Sequence, residues 1–331
     1  MKNFSKAKLK EQILSYAADD LNAIENALKS NLHPHVDLVS SISKHILFSG
    51  GKRLRPLLAV LSARLCGYTD SFSILFSTVF EYLHAATILH DDVIDAATKR
   101  RGKTSAHIIY GNAETILTGD FLLARALHTA SETNKMGIIK LAANVTATMS
   151  QGEIIQLLNH RNLKLSEEQY LDIIFRKTAA LIQAACQSGA ILADASKDQE
   201  NALSLYGINI GMAFQIADDL LDYLADTKIL GKSIGVDLRE GKLTLPVIYA
   251  LQKATEQDKA FMTSIISNER FSFIEFEKFV DLLKKYNGIQ ETQAKAKNYI
   301  EKAKNNLSLF PDNSTRYILL TIADYVLARE S

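Results

Sequence analysis

A chain of 331 residues with 47% apolar content has material for a large buried core, and its length alone permits one big domain or two smaller ones. The formal net charge of +1 offers no long-range field to draw in nucleic acid or an anionic membrane, so any bound anion must be held by a local arrangement of charges. No segment reaches the roughly 18 uninterrupted apolar residues that identify a membrane helix, and the lysine-bearing N-terminus lacks the apolar run of a secretory signal.

The two cysteines, Cys66 and Cys186, lie far apart among small apolar residues and match no metal-ligand spacing, so a soluble protein of the reducing cytoplasm is expected. Four prolines and fifteen glycines punctuate intervals rich in Leu, Ala, Ile, Lys, Glu and Gln, which predicts an all-α fold. In chain order, apolar residues recur at helical spacing at Leu9, Ile13, Tyr16, Leu21, Ile24 and Leu28, then at Val39, Ile42, Ile46 and Leu47. A glycine-bearing loop over 49–53 follows. Residues 71–95 are apolar nearly all round and end in an acidic cluster, the pattern of a central helix buried by its neighbours. After loops at 97–103 and 163–166, Tyr170, Ile173, Ile174 and Phe175 mark another amphipathic segment. Residues 203–223 repeat the all-round apolar pattern, again with an acidic end, before a loop at 229–242. No Ser/Gly/Pro-rich linker or low-complexity tract divides the chain, so a single domain over 1–331 is expected.

The acidic clusters are Asp91-Asp92-Val93-Ile94-Asp95 and Asp218-Asp219-Leu220-Leu221-Asp222. On a helix, residues four apart share a face, so Asp91 with Asp95 and Asp218 with Asp222 each present two carboxylates in one direction. Like charges at that spacing repel, and neither cluster contains a Lys or Arg; a cation from outside is the compensation. All-oxygen ligands select hard ions, and Mg²⁺ is commonly held by one or two carboxylates while phosphates and water complete its octahedron. One such cluster is as readily a solvated helix end; two, each closing a nearly all-apolar helix, favour a clamp for a diphosphate. Glu81-Tyr82-Leu83-His84 has the Glu-x-x-His spacing of di-iron bundles, but such a site needs two copies and the chain has no second, so His84 reads as a core histidine or a phosphate donor.

Ser49-Gly50-Gly51-Lys52-Arg53-Leu54-Arg55-Pro56 places flexible residues before three cations, and Arg100-Arg101-Gly102-Lys103 follows the first acidic cluster closely enough to fold back toward the same cavity. Glycine lets the backbone approach a phosphate, and Lys or Arg supplies charge-assisted bonds, although either segment alone also reads as a surface loop. Lys177-Thr178, Phe214-Gln215, Gly231-Lys232 and Lys242 come later. Gly241-Lys242-Leu243-Thr244-Leu245-Pro246 also reads as a plain helix entry.

These motifs, with Gly119-Asp120 and Gln151-Gly152-Glu153 between them in the expected order, strongly resemble the trans-polyprenyl diphosphate synthases, the head-to-tail prenyltransferases. The resemblance implies one large helical bundle of the isoprenoid synthase type with a central cavity, a homodimer, and Mg²⁺ bridging the allylic diphosphate. It implies that Lys52, Arg55, His84 and Arg101 hold the diphosphate of isopentenyl diphosphate. Arg100, Lys177, Thr178, Gln215 and Lys232 contact the allylic diphosphate, Lys177 and Lys232 as part of the catalytic set. Asp91, Asp95 and Asp218 ligate the metal, and Asp92, Asp219 and Asp222 support it directly or through water. Arg53 is a poorer phosphate contact than its neighbours.

Product length follows from the residues four, five and eight positions before Asp91, here Thr87, Ala86 and Leu83. Short-chain members of the family place an aromatic residue at one of the first two; its absence here implies a deeper chain and a long-chain product, octaprenyl diphosphate for quinone side chains. Leu83, Leu122 or Leu123 stopping the chain earlier would give farnesyl or geranylgeranyl diphosphate. Two other readings exist. A class I terpene cyclase holds no second diphosphate, leaving Lys52, Arg55, His84 and Arg101 without a purpose. A regulatory subunit without turnover is expected to have lost acidic residues, and both clusters here are complete.

Overall fold

Long runs of helix formers between sparse breakers give long helices, and the computed structural model, which describes residues 6–224, 235–268 and 270–328, is built almost wholly from them. In chain order they are α1 (Lys6–Ser30), α2 (Asp37–Leu47), α3 (Leu54–Leu65), α4 (Phe72–Ile94), α5 (Ala106–Tyr110), α6 (Asn112–Ser131), α7 (Met136–Leu158), α8 (Glu167–Ile174), α9 (Ala180–Leu192) and α10 (Lys197–Leu224). The short α11 (Val236–Arg239) leads to α12 (Leu245–Lys253), α13 (Glu256–Ile266), α14 (Phe273–Lys285), α15 (Gly288–Asn306) and α16 (Ser314–Leu327). Local signals set several starts. Ser166 and Gln169 form a reciprocal capping box at α8, Ser272 and Glu275 another at α14, and Pro246 sits in the first turn of α12, where its missing N–H costs nothing.

Three apolar clusters fill the bundle. The first packs α4 against α6 and α7 through residues such as Leu83, Ala86, Leu122, Ala126 and Val145. The second gathers Ile216 and Leu220 of α10 with Leu245, Phe279 and Leu283. The third joins Leu58, Cys186, Tyr206 and Ile322 across α3, α9, α10 and α16. Phe175 packs against the first two, and Tyr299 and Leu327 against the last two, so the clusters are continuous. Burial pushes the free thiols up, Cys66 to about 11 and Cys186 to about 12, which leaves both as inert packing groups. Among the described residues α4 alone is long and apolar enough to cross a membrane, yet 67% of its apolar window is buried against other helices.

The 97–103 loop departs from the all-helical pattern. Lys99–Arg100 pairs antiparallel with Lys103–Thr104, and the two residues between them, Arg101 and Gly102, both have positive φ (51° and 79°). This is the backbone of a type I′ hairpin turn, whose usual sequence signal is Asn-Gly or Asp-Gly; an Arg there accepts a strained left-handed conformation.

Candidate active site

Helix α4 ends on the first acidic cluster and α10 on the second, and packing sorts the six aspartates. Asp95 and Asp218 are exposed and Asp91 is half-buried, whereas Asp92 and Asp219 are only 1% and 6% accessible. Asp92 turns into the protein and accepts two bonds from Arg100, 2.8 Å from Nε and 2.5 Å from Nη2. Asp219 accepts from the Tyr170 hydroxyl at 2.6 Å and from Gln215 Nε2 at 2.7 Å. Asp222 accepts the backbone N–H groups of Val236 and Asp237, each at 3.0 Å. Asp92 and Asp219, expected to support the metal directly or through water, turn inward: residues adjacent on a helix lie about 100° apart, and the bundle buries the second member of each pair. Arg100, expected on the allylic diphosphate, is bonded to Asp92.

Half-buried Asp91 and buried Asp219 are held against their charge. Burial, with Glu153 and Asp95 nearby, pushes Asp91 up to about 6 although Lys177 and Arg100 oppose the shift. Burial, with Asp218 and Asp222, pushes Asp219 up to about 7 despite its two hydrogen bonds. Among the described residues no three His, Cys, Asp or Glu side chains converge into a set that holds a metal alone. Oxygen donors offered one or two at a time fit a Mg²⁺ ion that draws its other ligands from phosphate and water.

Lys177 and Thr178 lie in a π-helical turn, Phe175–Ala179, whose extra residue interrupts the regular register between α8 and α9. Lys177 Nζ pairs with Glu153 Oε2 at 2.7 Å, and the Thr178 hydroxyl donates to Gln215 Oε1 at 2.7 Å. Gly152 lets α7 approach this turn closely: a Cβ there would lie 2.6 Å from Arg176 Cβ and 3.0 Å from Lys177 N. Below them a cavity of about 100 Å³ is lined by Lys177, Thr178, Gln215, Asp219, Asp237 and Lys242. Lys232 lies outside the described residues.

A second cationic nest forms beside α4. Arg53, left-handed at the start of α3, is spent on structure: it bonds Glu25 at 2.5 Å, Glu81 at 2.6 Å and the Leu47 carbonyl at 2.5 Å. Glu81 is thus an ion-pair partner and not half of a di-iron site. Arg55 is half-buried, its Nε has no hydrogen-bond partner, and burial together with Arg101 lowers its proton affinity against the pull of Glu81. His84 is held well below its ordinary value by burial and by Arg55 and Arg101, so it is neutral at physiological pH. Arg101 donates to the Gly50 carbonyl. Lys52 donates to the Tyr325 hydroxyl at 3.0 Å.

Gly119 and Glu153 fall in motifs that carry the family resemblance, whereas Tyr170 occurs in ordinary helical context and owes its role to Asp219, 49 positions away. Asp237 is half-buried, and desolvation with Asp219 and Asp222 nearby raises its carboxyl well above the ordinary range. Burial alone would lower Lys242, but Glu240, Asp237 and Asp95 outweigh it and hold it raised, which links the return segment to both acidic clusters. His90 lies 3.1 Å from the Ile116 carbonyl and 3.6 Å from Asp120, over Gly119, where a Cβ would meet its Nε2 at 2.2 Å. Gly119→Ala is therefore expected to displace His90 and the adjacent Asp91, costing about 1–3 kcal/mol in urea denaturation and lowering kcat more than a remote substitution of equal destabilisation.

Of the residues expected to set product length, Thr87 is partly exposed, but Leu83 and Ala86 have no accessible surface. Both belong to the apolar cluster in which α4 packs on α6.

The model of the polyprenyl synthetase family matches residues 36–283. The chain is 34% identical over 320 residues to the octaprenyl diphosphate synthase of Escherichia coli (strain K12), covering 97% of this chain and 99% of that one. It is also 34% identical over 292 residues to a short chain isoprenyl diphosphate synthase of Methanothermobacter thermautotrophicus, covering 87% and 89%. The crystal structure of a polyprenyl synthase from Caulobacter crescentus CB15, complexed with calcium and isoprenyl diphosphate, superposes with a TM-score of 0.91 at 36% identity over 100% of both chains. Acidic helix ends, flanking cations and full-length similarity agree: the chain belongs to the polyprenyl synthetase family and is a prenyl diphosphate synthase with the all-α isoprenoid synthase fold.

Proposed function

We propose that the chain, acting as one domain, elongates an allylic prenyl diphosphate with isopentenyl diphosphate to a long all-trans product, octaprenyl diphosphate, used for quinone side chains. The observation that carries the two-substrate reading is the pair of separate cationic groups, Lys177 beside the acidic helix ends and Arg55, Arg101, Lys52 and neutral His84 beside α4. One diphosphate needs only the first; a terpene cyclase would leave the second unused.

Asp91, Asp95 and Asp218 would hold Mg²⁺, which would supply Lewis acidity toward the allylic diphosphate. Lys177, steered by Glu153, and Gln215, fixed between Thr178 and Asp219, orient that group as its carbon–oxygen bond breaks and the electron pair leaves with the diphosphate. Arg55, Arg101, Lys52 and His84 hold isopentenyl diphosphate so that its double bond attacks the cationic carbon. Loss of a proton from the condensed product restores a double bond. Neighbouring arginines make His84 a poor base, so the departing diphosphate takes that proton. Apolar walls below Thr87 exclude water that would quench the cation.

Small residues at Ala86 and Thr87 and the octaprenyl relative support the long product. A shorter product is the second reading, favoured by Phe80 and Phe76, which stack edge to face with centroids 5.8 Å apart. At helical rise they lie about 16 and 22 Å below Asp91, and Phe80 falls almost on its face. Purified protein incubated with Mg²⁺, isopentenyl diphosphate and farnesyl diphosphate, followed by mass analysis of the dephosphorylated products, tests both. One dominant long prenol supports the proposal, geranylgeraniol alone supports the second reading, and cyclic hydrocarbons would sink both. Ala86→Tyr is expected to shorten the products in the same assay; unchanged length removes Ala86 from the channel.

The reading includes a homodimer through α6 and α7, which expose Ile116, Leu117, Ile154, Leu157 and Leu158. Two free thiols, Cys186 buried and Cys66 half-buried, support a cytoplasmic site of action.

A further inference from the structure

We propose that Tyr325, on the last turn of α16, is a positioning residue for the second diphosphate, acting through Lys52; this rests on the two-diphosphate reading above. Lys52 follows Gly50 and Gly51, whose φ angles of 98° and 153° belong to backbone that side chains do not stiffen, and its own side chain is exposed. An exposed lysine on such a loop has rotamer entropy to lose when it grips a ligand. Here that freedom is already spent. The ammonium donates to the Tyr325 hydroxyl at 3.0 Å and stands 4.9 Å from the centre of its ring, beside the hydroxyl edge, so the phenol holds it by a hydrogen bond.

The holding residue leaves the lysine competent. An ammonium has three N–H donors and Tyr325 takes one, leaving two for phosphate oxygens. The phenol accepts from Lys52 through oxygen and keeps its own proton to donate to the same anion. Tyr325 is half-buried, and α16 is anchored at its other end to α1 by Tyr16, 3.0 Å from the Thr315 hydroxyl, and by Gln12, 3.3 Å from the Tyr317 hydroxyl. The phenol is therefore carried by a fixed helix, whereas the lysine it orients is carried by a loop. Prior ordering of a ligand-gripping group shows as affinity, because the ordering cost is not charged to binding.

The test compares Tyr325→Phe, Tyr325→Ala, Lys52→Ala and Lys52→Ala/Tyr325→Ala in the full chain, measuring KM for each substrate, calorimetric binding of isopentenyl diphosphate and Tm. Tyr325→Ala is expected to raise KM and Kd for isopentenyl diphosphate about 10-fold and Tyr325→Phe about 3-fold, with the allylic KM unchanged. The double variant should be no weaker than Lys52→Ala alone. Equal changes for both substrates, additive effects of the two substitutions, or unchanged isopentenyl diphosphate affinity in a Tyr325→Ala protein of normal Tm would each overturn the proposal. Wild-type protein that binds isopentenyl diphosphate without transferring it would count against the reaction and leave this test intact.

Discussion

Asp91→Asn is expected to lower kcat by about 10²–10³-fold and, at the same time, to raise the melting temperature at pH 7.5 by on the order of 3 °C. The loss of rate follows from removing a carboxylate proposed above to hold the metal. The gain in stability follows from its environment, where burial and the charges of Glu153 and Asp95 lift Asp91 to about 6 from an ordinary 3.8. Below pH 3.8 the group is protonated in both folded and unfolded chains and contributes nothing. Between the two values the unfolded chain ionises first, so stability falls as pH rises, and the penalty is complete above pH 6. A shift of that size corresponds to about 2–3 kcal/mol, reduced by partial solvent access. Thermal melts of both proteins from pH 4 to 8 check the sign: the advantage of Asn should vanish toward pH 4, and an advantage independent of pH would mean that packing, not charge, is responsible.

The second large effect is expected on the other substrate. Arg55→Met keeps the aliphatic stem and removes the charge, so KM for isopentenyl diphosphate should rise about 10²-fold while the allylic KM stays within about 2-fold. Stability should not fall, because burial and Arg101 already disfavour the Arg55 charge in the folded protein and its Nε has no partner to lose. Steady-state kinetics with each substrate varied in turn, together with thermal melts, would show it. A comparable rise in both KM values would place Arg55 in a shared role. The two substitutions belong together: carboxylates and cations are each crowded beside their own kind, and the fold bears that cost until metal and diphosphates arrive.

The helices at 72–94 and 197–224 were legible because nearly all-round apolar composition over more than twenty residues has few other outcomes. The acidic clusters were legible because spacing of four on a helix is a geometric fact. The division of labour inside them was not. Asp91 and Asp92 are chemically identical, and only the hairpin that brings Arg100 back to α4 decides that one faces the cleft and the other does not. Arg101 at a type I′ turn broke the expected turn chemistry, and the π turn that carries Lys177 and Thr178 has no composition of its own. Glu153, Tyr170 and Tyr325 gained their places from partners 24, 49 and 273 positions away.

From the sequence by itself came the all-helical class, the two carboxylate faces and the cations available to oppose anions, since each depends on propensity or on spacing within a few turns. Only the tertiary structure decided which aspartates are accessible, which arginine is spent on glutamates, how a C-terminal tyrosine reaches an N-terminal lysine, and that Leu83 and Ala86 are buried among neighbouring helices. Those outcomes depend on desolvation and on contacts between distant segments, and neither is a property of any short stretch of chain.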